Sequence, residues 1–332
     1  PGLSTSVVDA GEKSWQGRAT FAMAPTLARE SNLNQLPALD LLVIDEAHHA
    51  AADGYRRIID RVQTRNPKAL IYGVTATPNR GDRKGLRPVF SNVADQIRIG
   101  ELIASGHLVP PRTFVIDVGV QSDLGRVRKT AEDFDMAEVA KVMNRTPVTD
   151  AVIRHWREKA GDRQTVVFCA DVAHATAVAN AFREADVPTV LVTGEMAEAS
   201  RKAALADFAE ARARVIVNVA VLTEGWDHPP TSCVVLLRPS SYRSTMVQMV
   251  GRGLRTVNPQ EHPGVLKTDC IVLDFGTSTI LHGSLEQDVD LDGREPTGEA
   301  PSKTCPSCDA IIPLSSRECP LCGHAFTCDD AS

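Results

Sequence analysis

Two acidic side chains and a histidine follow an unbroken apolar run near the start of the chain. Leu41-Leu42-Val43-Ile44 leads directly into Asp45 and Glu46, with His48 two positions later. Four consecutive apolar residues are typical of a strand buried on both faces of a parallel sheet, and open α/β folds bind ligands at the carboxyl ends of such strands. Asp45 is therefore a candidate magnesium ligand, and Glu46 a candidate to orient or deprotonate an attacking water. The alternative is a strand followed by an ordinary polar cap.

Hydroxyl and carboxylate side chains follow two further apolar runs. Thr75 and Thr77 come after one of them, where their hydroxyls could link a metal site to another surface. Thr223, Gly225 and Asp227 come after the other. There, Gly225 permits close approach of the backbone to a ligand and Asp227 supplies an acceptor.

A third stretch places cations at helical spacing. Gln248, Arg252 and Arg255 lie about one turn apart, on one face of a predicted helix. Two arginines on one face suit the stabilisation of charge on a transferring phosphoryl group. The alternative is a solvated helix face with an ion pair.

Four of the eight cysteines form a cluster near the end of the chain. Cys305 and Cys308 make one Cys-x-x-Cys pair, and Cys319 and Cys322 make another after ten residues. This spacing predicts a tetrahedral zinc ribbon, in which the metal supplies the folding energy that so short a segment lacks. A rubredoxin-like iron site or a redox pair is the alternative. The module could grip nucleic acid or a partner protein, or it could act as a stabilising cap.

Composition sets broad limits. The chain has 332 residues, 43% hydrophobic and 23% charged, which is typical of a globular protein of about two domains. A net charge of -6 means that any binding of nucleic acid must come from local basic clefts. No apolar run is long enough to cross a bilayer, and no basic and then apolar leader is evident. We therefore expect a cytoplasmic protein with no membrane partner.

Strand and helix patterns alternate along most of the chain, which predicts parallel α/β domains. An acidic segment rich in glycine and proline precedes the cysteines and reads as a linker. The expected domains are 1–108, the incomplete first α/β domain; 109–283, the second; 284–303, the linker; and 304–328, the zinc ribbon.

Taken together, these stretches resemble the superfamily 2 helicases and translocases, particularly the DEAH-box type. With a C-terminal ribbon, the chain is similar to RadD-like and XPB-like repair helicases. The stretches that match the family's motifs are, in chain order, Thr26–Arg29, Asp45–His48, Thr75–Thr77, Thr193–Gly194, Thr223–Asp227 and Gln248–Arg255.

The resemblance implies two RecA-like domains that bind ATP with Mg²⁺ in the cleft between them. Asp45 would then hold the magnesium ion, Glu46 would be the catalytic base, and Arg252 and Arg255 the arginine fingers. Nucleotide binding is implied for His48, Gly225, Asp227 and Gln248, and His48 would also couple to the second domain through Gln248. Thr75 and Thr77 would couple the ATP site to another surface. Nucleic-acid contact is implied for Thr26, Arg29, Thr193, Gly194 and Thr223.

The resemblance also implies an ATP-dependent helicase or translocase, acting on DNA in repair, replication or phage metabolism. A repair or single-strand-binding protein is the expected partner of the zinc ribbon. The alternatives are a regulatory protein that binds nucleic acid without hydrolysing ATP, and the motor part of a restriction system.

One departure from the family concerns the phosphate-binding loop, which ends in Gly-Lys-Ser/Thr. The chain contains no Gly-Lys dipeptide. Its nearest look-alike is Ala10-Gly11-Glu12-Lys13-Ser14, where Glu12 would repel a phosphate and where we expect no buried strand beforehand. We therefore expect a helicase truncated before its phosphate-binding loop, and poor ATP hydrolysis by these residues alone.

Overall fold

The chain forms two compact units in the computed structural model. One consists of Pro1–Gln96 with Val289–Glu295, and the other of Ile97–Asp288 with Pro296–Ser332. We refer to them as unit 1 and unit 2. The domain boundaries expected from the sequence stay predictions, and Cys308, Cys322 and nearly all of the expected linker lie outside the described residues. The structure describes residues 2–77, 85–129, 133–240, 242–276, 278–283, 285, 291, 302–307, 311–313, 318–319 and 323–326.

Unit 1 contains two parallel strand pairs, β1 with β2 and β3 with β4. Apolar residues of α3 and β3 recur at helical and strand spacing, and they bury Ile58, Ile59 and Val62 of the helix among the strand residues Leu42 and Ile44. The elements of unit 1 are β1 (Thr5–Val8), β2 (Ala19–Ala22), α1 (Ala24–Leu27), α2 (Glu30–Leu33), β3 (Leu41–Asp45), α3 (Asp53–Arg65) and β4 (Leu70–Val74).

The expectation that β3 is buried on both faces was wrong. Leu41 is 51% exposed and Val43 53%, and their partners Leu70 and Tyr72 on β4 are exposed as well. Side chains alternate between the faces of a strand, so only the opposite face of β3, with Ile44 at its centre, packs against the core of unit 1. Among the described residues of unit 1 nothing covers the first face.

Unit 2 is built on a sheet of six parallel strands in the order β5-β10-β9-β6-β8-β7. This confirms the α/β fold class. The elements of unit 2 are α4 (Ile99–Ala104), β5 (Pro111–Val115), α5 (Gln121–Leu124), α6 (Met136–Met143), α7 (Thr146–Lys159), β6 (Thr165–Phe168), α8 (Val172–Glu184), β7 (Thr189–Val192), α9 (Glu198–Ala209), β8 (Val215–Asn218), β9 (Cys233–Leu236), α10 (Arg243–Leu254), β10 (Cys270–Asp274), α11 (Ser278–His282), β11 (Ser302–Thr304) and β12 (Ile311–Pro313).

Helices cover both faces of this sheet, which explains why its strands are apolar at every position. One core joins α6, α7 and α8 to one set of alternate strand residues, and the other core joins α9 and α10 to the opposite set. β6 lies between β8 and β9, so the chain leaves β6 towards one edge and later continues on its other side. The loops that follow β6 and β9 therefore leave the sheet in opposite directions, which makes a switch point of the kind where open α/β sheets bind ligands. The loop that follows β8 begins at the same carboxyl edge of the parallel sheet.

The hairpin of β11 and β12 belongs to unit 2, where β12 lies beside the edge strand β5. No helix in the described part of the chain is long and apolar enough to span a membrane.

Close packing of α10 on the sheet depends on Gly253. A Cβ at this position would lie 2.4 Å from Cys270 Sγ and 2.7 Å from a methyl carbon of Val234. Gly251, two residues earlier in the same helix, has nothing within 4 Å of an added Cβ. The contact between helix and sheet therefore requires glycine at position 253, whereas packing does not require it at position 251.

We predict that Gly253→Ala destabilises unit 2 by about 1–3 kcal/mol, because the added methyl group pushes α10 away from β9 and β10. Gly251→Ala is the matched control, and it should stabilise the helix by about 0.4–1 kcal/mol. Urea denaturation followed by circular dichroism measures both changes. Equal effects of the two substitutions would contradict the packing argument.

Candidate functional site

The chain turns abruptly where β3 ends. Glu46 adopts the left-handed conformation, with φ 48° and ψ 52°, and a short 3-10 helix, Ala47–His49, follows directly. Such a conformation costs a non-glycine residue about 1–2 kcal/mol, and residues held in this way cluster at functional sites. Asp45 is exposed, and its Oδ1 accepts a hydrogen bond from Glu46 N at 2.9 Å. The turn thus leaves both carboxylates at the carboxyl end of the strand.

His48 connects these carboxylates to the end of β4. Its Nδ1 lies 3.3 Å from Glu46 Oε2, 3.0 Å from Thr75 Oγ1 and 3.5 Å from Thr77 Oγ1. Thr77 N also donates to Thr75 Oγ1 at 3.1 Å, and Thr77 is fully buried. Unit 1 therefore brings Glu46, His48, Thr75 and Thr77 into one polar group. The sequence had placed them at the ends of neighbouring strands.

Gly73 lets the 3-10 helix sit close to β4. An added Cβ would lie 2.7 Å from the Cβ of Ala47 and 2.5 Å from the ring of Phe90. Ala47 is 3% exposed, so both neighbours are held by the surrounding core. This contact fixes the height of His48 above the sheet.

The look-alike of a phosphate-binding loop is a tight turn. A buried strand does precede it, contrary to expectation, because parallel pairing of β1 with β2 buries Val8. However, the amides of Gly11 and Glu12 donate to Asp9 Oδ1 at 2.7 and 2.8 Å, and the chain returns to pair Lys13 with Val8. Hydrogen bonds from Glu12 N and Gly11 N lower the pKa of Asp9. A carboxylate of the chain thus takes the amides that a phosphate would need.

The residues expected to contact nucleic acid differ in exposure. Thr26 and Thr193 are buried, at 8% and 6% exposed, whereas Arg29 and Gly194 are exposed. Arg201 Nη2 donates to the carbonyl oxygens of Thr193 and Gly194 at 3.3 and 3.0 Å. The backbone of this pair is therefore held from within unit 2.

The loop after β8 carries the next candidates. Gly225 has a φ of +69°, which favours glycine. Arg252, on α10, donates from Nε to the carbonyl of Thr223 at 2.9 Å and from Nη1 to that of Trp226 at 2.6 Å. One arginine therefore bridges the two sides of the turn at Gly225.

The expectation that Arg255 shares a helical face with Arg252 was wrong. α10 ends at Leu254, and Arg255 is extended with ψ 140°. The cause is tertiary: Val109 N donates to Leu254 O at 2.8 Å, and Leu108 bridges to Arg255, so the backbone leaves the helix. From there, Arg255 Nη1 forms an ion pair with Asp227.

Gln248, one turn before Arg252 on α10, donates from Nε2 to Glu224 Oε1 at 3.1 Å. Together with the Arg252 and Arg255 contacts, this bond joins α10 and the residue that follows it to the loop after β8 within unit 2.

Two histidines are buried in unit 2. Burial lowers the pKa of His174 to about 4 and that of His228 to about 4. His228 Nε2 lies 3.1 Å from Gln164 Oε1, and its ring packs edge-on against Phe208. Both rings are therefore neutral at pH 7.

The described part of the cysteine module has buried thiols. Cys305 is fully buried and Cys319 is 1% exposed. Gly323 N donates to Cys319 O, and Cys319 N donates to His324 O at 2.7 Å. The two buried sulfur atoms fit the soft donor set that zinc prefers.

Three family models match the chain. Residues 147–257 match the helicase conserved C-terminal domain, residues 5–80 match the type III restriction enzyme res subunit, and residues 303–328 match the uncharacterised protein family UPF0547. Among curated proteins, the chain is 29% identical to the protein described as ATP-dependent helicase IRC3 of Saccharomyces cerevisiae, over 82% of this chain and 40% of that protein. It is 33% identical to the protein described as mitochondrial ATP-dependent helicase irc3 of Schizosaccharomyces pombe, over 87% of this chain and 47% of that protein.

The chain belongs to the superfamily 2 helicases. It spans less than half the length of these two fungal relatives. Among solved structures, it resembles a fragment described as an HsdR subunit of a type I restriction enzyme from Vibrio vulnificus, with a TM-score of 0.65 and 24% identity over 87% of this chain and 53% of that one. It also resembles Dbp5 of S. cerevisiae bound to RNA, with a TM-score of 0.52 and 14% identity over 82% of this chain and 63% of that one. These two likenesses show the helicase fold.

Two residues of this superfamily 2 site lie outside the set predicted from the sequence. Glu224 accepts the hydrogen bond from Gln248, and Gly73 allows Ala47 to approach β4. Glu224 stands inside a quoted motif, so its position was visible. Its partner, however, is 24 residues away and depends on how α10 packs.

We predict that unit 2 loses stability as the pH falls from about 6.5 towards 4. The unfolded chain takes up protons on His174 and His228 in this interval, near the ordinary pKa of 6.5, whereas the folded chain does not until about pH 4. The stability that these two neutral histidines contribute is therefore complete above pH 6.5 and is lost as the pH falls towards 4.

His228→Gln tests this prediction. The variant should be less stable than wild type at pH 7.5, and the gap should narrow by roughly 1–3 kcal/mol at pH 4.5, because the variant has one protonation cost fewer. Urea denaturation at the two pH values measures the gap. A gap that stays constant would show that His228 contributes packing alone.

Proposed function

We propose that this chain is part of an ATP-dependent nucleic-acid helicase or translocase. The observation that carries the proposal is the contact chain from Glu46 through His48 to Thr75, which links a strand-end carboxylate to the neighbouring strand. Hydrolysis requires a positioned carboxylate, and work on a strand requires that its position be communicated elsewhere. The match to the helicase C-terminal domain and the two fungal relatives support the same conclusion.

In this proposal, the carboxylates of unit 1 divide the chemistry between them. Asp45, exposed at the end of β3, would hold Mg²⁺ that neutralises nucleotide phosphates. Glu46 acts as the base on the attacking water, and His48 orients the carboxylate of Glu46. Thr75 and Thr77 pass a change at His48 to the end of β4, which is the coupling role expected of them.

The residues of unit 2 would supply charge and shape. Arg252 and Arg255 stabilise the transferring phosphoryl group, while Gly225, Asp227 and Gln248 form the nucleotide-binding surface. Arg252 is bonded to backbone carbonyls and Arg255 is paired with Asp227, so each must exchange these partners to act on a phosphate. We infer that nucleotide binding and movement of the loop after β8 are linked.

The proposed substrate is DNA, contacted through its backbone by Arg29, Gly194, Thr26, Thr193 and Thr223. The two buried threonines would contribute mainly by shaping the backbone, and the exposed pair by direct contact. With a net charge of -6, binding must be local to such surfaces. Repair is the proposed setting, in a reducing compartment such as the cytoplasm, which is supported by the buried thiols of Cys169, Cys233 and Cys270 in the core of unit 2.

We further propose that the final cysteines bind structural zinc through Cys305, Cys308, Cys319 and Cys322. Buried Cys305 and Cys319, and the position of β12 beside β5, support a role in capping the edge of the sheet of unit 2. Contact with a repair or single-strand-binding protein is the second role that such a ribbon could serve.

A motor of a restriction system is the second candidate function. The match of residues 5–80 to the type III restriction enzyme res subunit favours it. A nuclease activity that copurifies with the whole protein and depends on ATP would select this candidate over the helicase.

The proposal predicts that Glu46→Gln in the whole protein retains ATP binding and lowers hydrolysis by about 10²–10⁴-fold, because the base is lost. Glu198→Gln, on the exposed surface of α9, is the matched control and should leave the rate unchanged. Phosphate release and fluorescent-nucleotide binding measure the two properties. Residues 1–332 alone, which contain no Gly-Lys dipeptide, should hydrolyse ATP poorly. Undiminished hydrolysis in Glu46→Gln would exclude the assigned base.

The zinc proposal predicts one Zn²⁺ per chain by mass spectrometry and less in Cys305→Ser. Removing the metal with a chelator should lower the melting temperature of unit 2, because β12 loses its support beside β5. Cys169→Ser, a substitution in the core away from the cluster, controls for the general effect of losing a buried thiol. Full zinc content in Cys305→Ser would exclude this ligand set.

A further inference from the structure

The end of the loop between β8 and β9 has few backbone N–H groups that could hold its conformation. After Asp227 it continues through His228, Pro229 and Pro230 to Thr231. The two prolines have no N–H group, so they cannot donate to the carbonyls of a turn. Within this stretch, the structure describes a backbone hydrogen bond in which Thr231 N donates to His228 O at 3.0 Å. The other carbonyls therefore need donors from elsewhere in unit 2.

Lys267 supplies them. Its Nζ donates to Pro229 O at 2.7 Å and to Thr231 O at 2.5 Å, from the segment that joins α10 to β10. Burial lowers the pKa of Lys267 to about 8, so the ammonium stays charged at pH 7 in spite of its desolvation. A partly buried ammonium loses hydration, and the two carbonyls accept two of its three N–H donors.

The carbonyls that Lys267 binds are two to five residues from the groups of the proposed site. Asp227 pairs with Arg255, and the carbonyl of Trp226 accepts from Arg252. Arg252 thus holds the beginning of the loop, and Lys267 holds its end. Without the second support, the prolines leave the chain after Asp227 with few bonds to define it.

We propose that Lys267 is a positioning residue, which places Asp227 and the Trp226 carbonyl for the arginines by binding Pro229 O and Thr231 O. The inference rests on the proposed ATPase function, which it deepens. Lys267 itself does not touch the nucleotide in this proposal. It acts through the loop, and the reaction depends on it because the arginines do.

The chain offers a direct reporter, since Trp226 lies in the loop and the sequence has three tryptophans. Chain labelled with 5-fluorotryptophan should give one ¹⁹F signal for each, and Trp226→Phe assigns the loop signal. Lys267→Met should shift and broaden this signal, while that of Trp156, buried in the core of the same unit, stays in place. Lys202→Met, on exposed α9, is the control and should move neither.

A pH titration separates positioning from simple packing. The Trp226 signal of wild type should titrate near pH 8, as Lys267 loses its charge, and this step should be absent in Lys267→Arg, which keeps the loop in place with a permanent cation. The other groups facing Lys267 are constant across the variants: Cys270 at the start of β10, Arg163 before β6, Arg255 after α10, Asp227 and His228 in the loop, and His262 in the segment of Lys267 itself.

The outcomes are distinct. An unmoved Trp226 signal in Lys267→Met, or an unchanged step near pH 8 in Lys267→Arg, overturns the inference. If Lys267→Met fails to fold, the Trp156 signal moves as well, and the Lys267→Arg titration decides. In whole protein that hydrolyses ATP, Lys267→Met should lower kcat roughly 10- to 100-fold, with a smaller change in KM, and Lys267→Arg should restore it. Absence of any hydrolysis in wild type would refute the proposed function, while the ¹⁹F result would still decide the role of Lys267.

Discussion

Side-chain cations hold the loop between β8 and β9 in place by donating hydrogen bonds to its backbone carbonyls. Arg252 binds the carbonyls of Thr223 and Trp226, and Lys267 binds those of Pro229 and Thr231. This loop contains two prolines, which have no N–H group to donate to its carbonyls. Its conformation is therefore set by charges on the helix and segment that follow β9. Any ligand that draws an arginine away changes the loop as well.

Unit 1 uses a different device for a similar purpose. There the backbone itself is turned by a left-handed residue, Glu46, and the resulting 3-10 helix is seated on β4 because Gly73 has no side chain. His48 is then close enough to Glu46 and Thr75 to join the ends of two strands. The packing of Ala47 offsets the free-energy cost of the left-handed backbone conformation at Glu46. Packing and polar contact thus depend on each other at this strand end.

Much of the architecture follows from local pattern. The alternating strand and helix patterns predict parallel α/β domains, and unit 2 has a sheet of six parallel strands with helices between them. β6, β8 and β9 are buried on both faces because helices cover the sheet. The expectation of such burial for β3 was wrong, because one face of that strand is exposed among the described residues. A run of apolar letters reports the preference of a strand for burial. It does not report whether another element is present to bury it.

The sequence by itself determined which chemical groups stand at the strand ends, because side-chain type and position after an apolar run are local properties. Asp45, Glu46, Thr75 and Asp227 were all identified in this way. Tertiary structure alone decided their partners. The helix ends before Arg255 because the backbone of residues 108–109 pairs with it, and Lys267 meets carbonyls 36 and 38 residues away. Contacts of this kind depend on how helices and strands pack, and spacing along the chain carries no record of that.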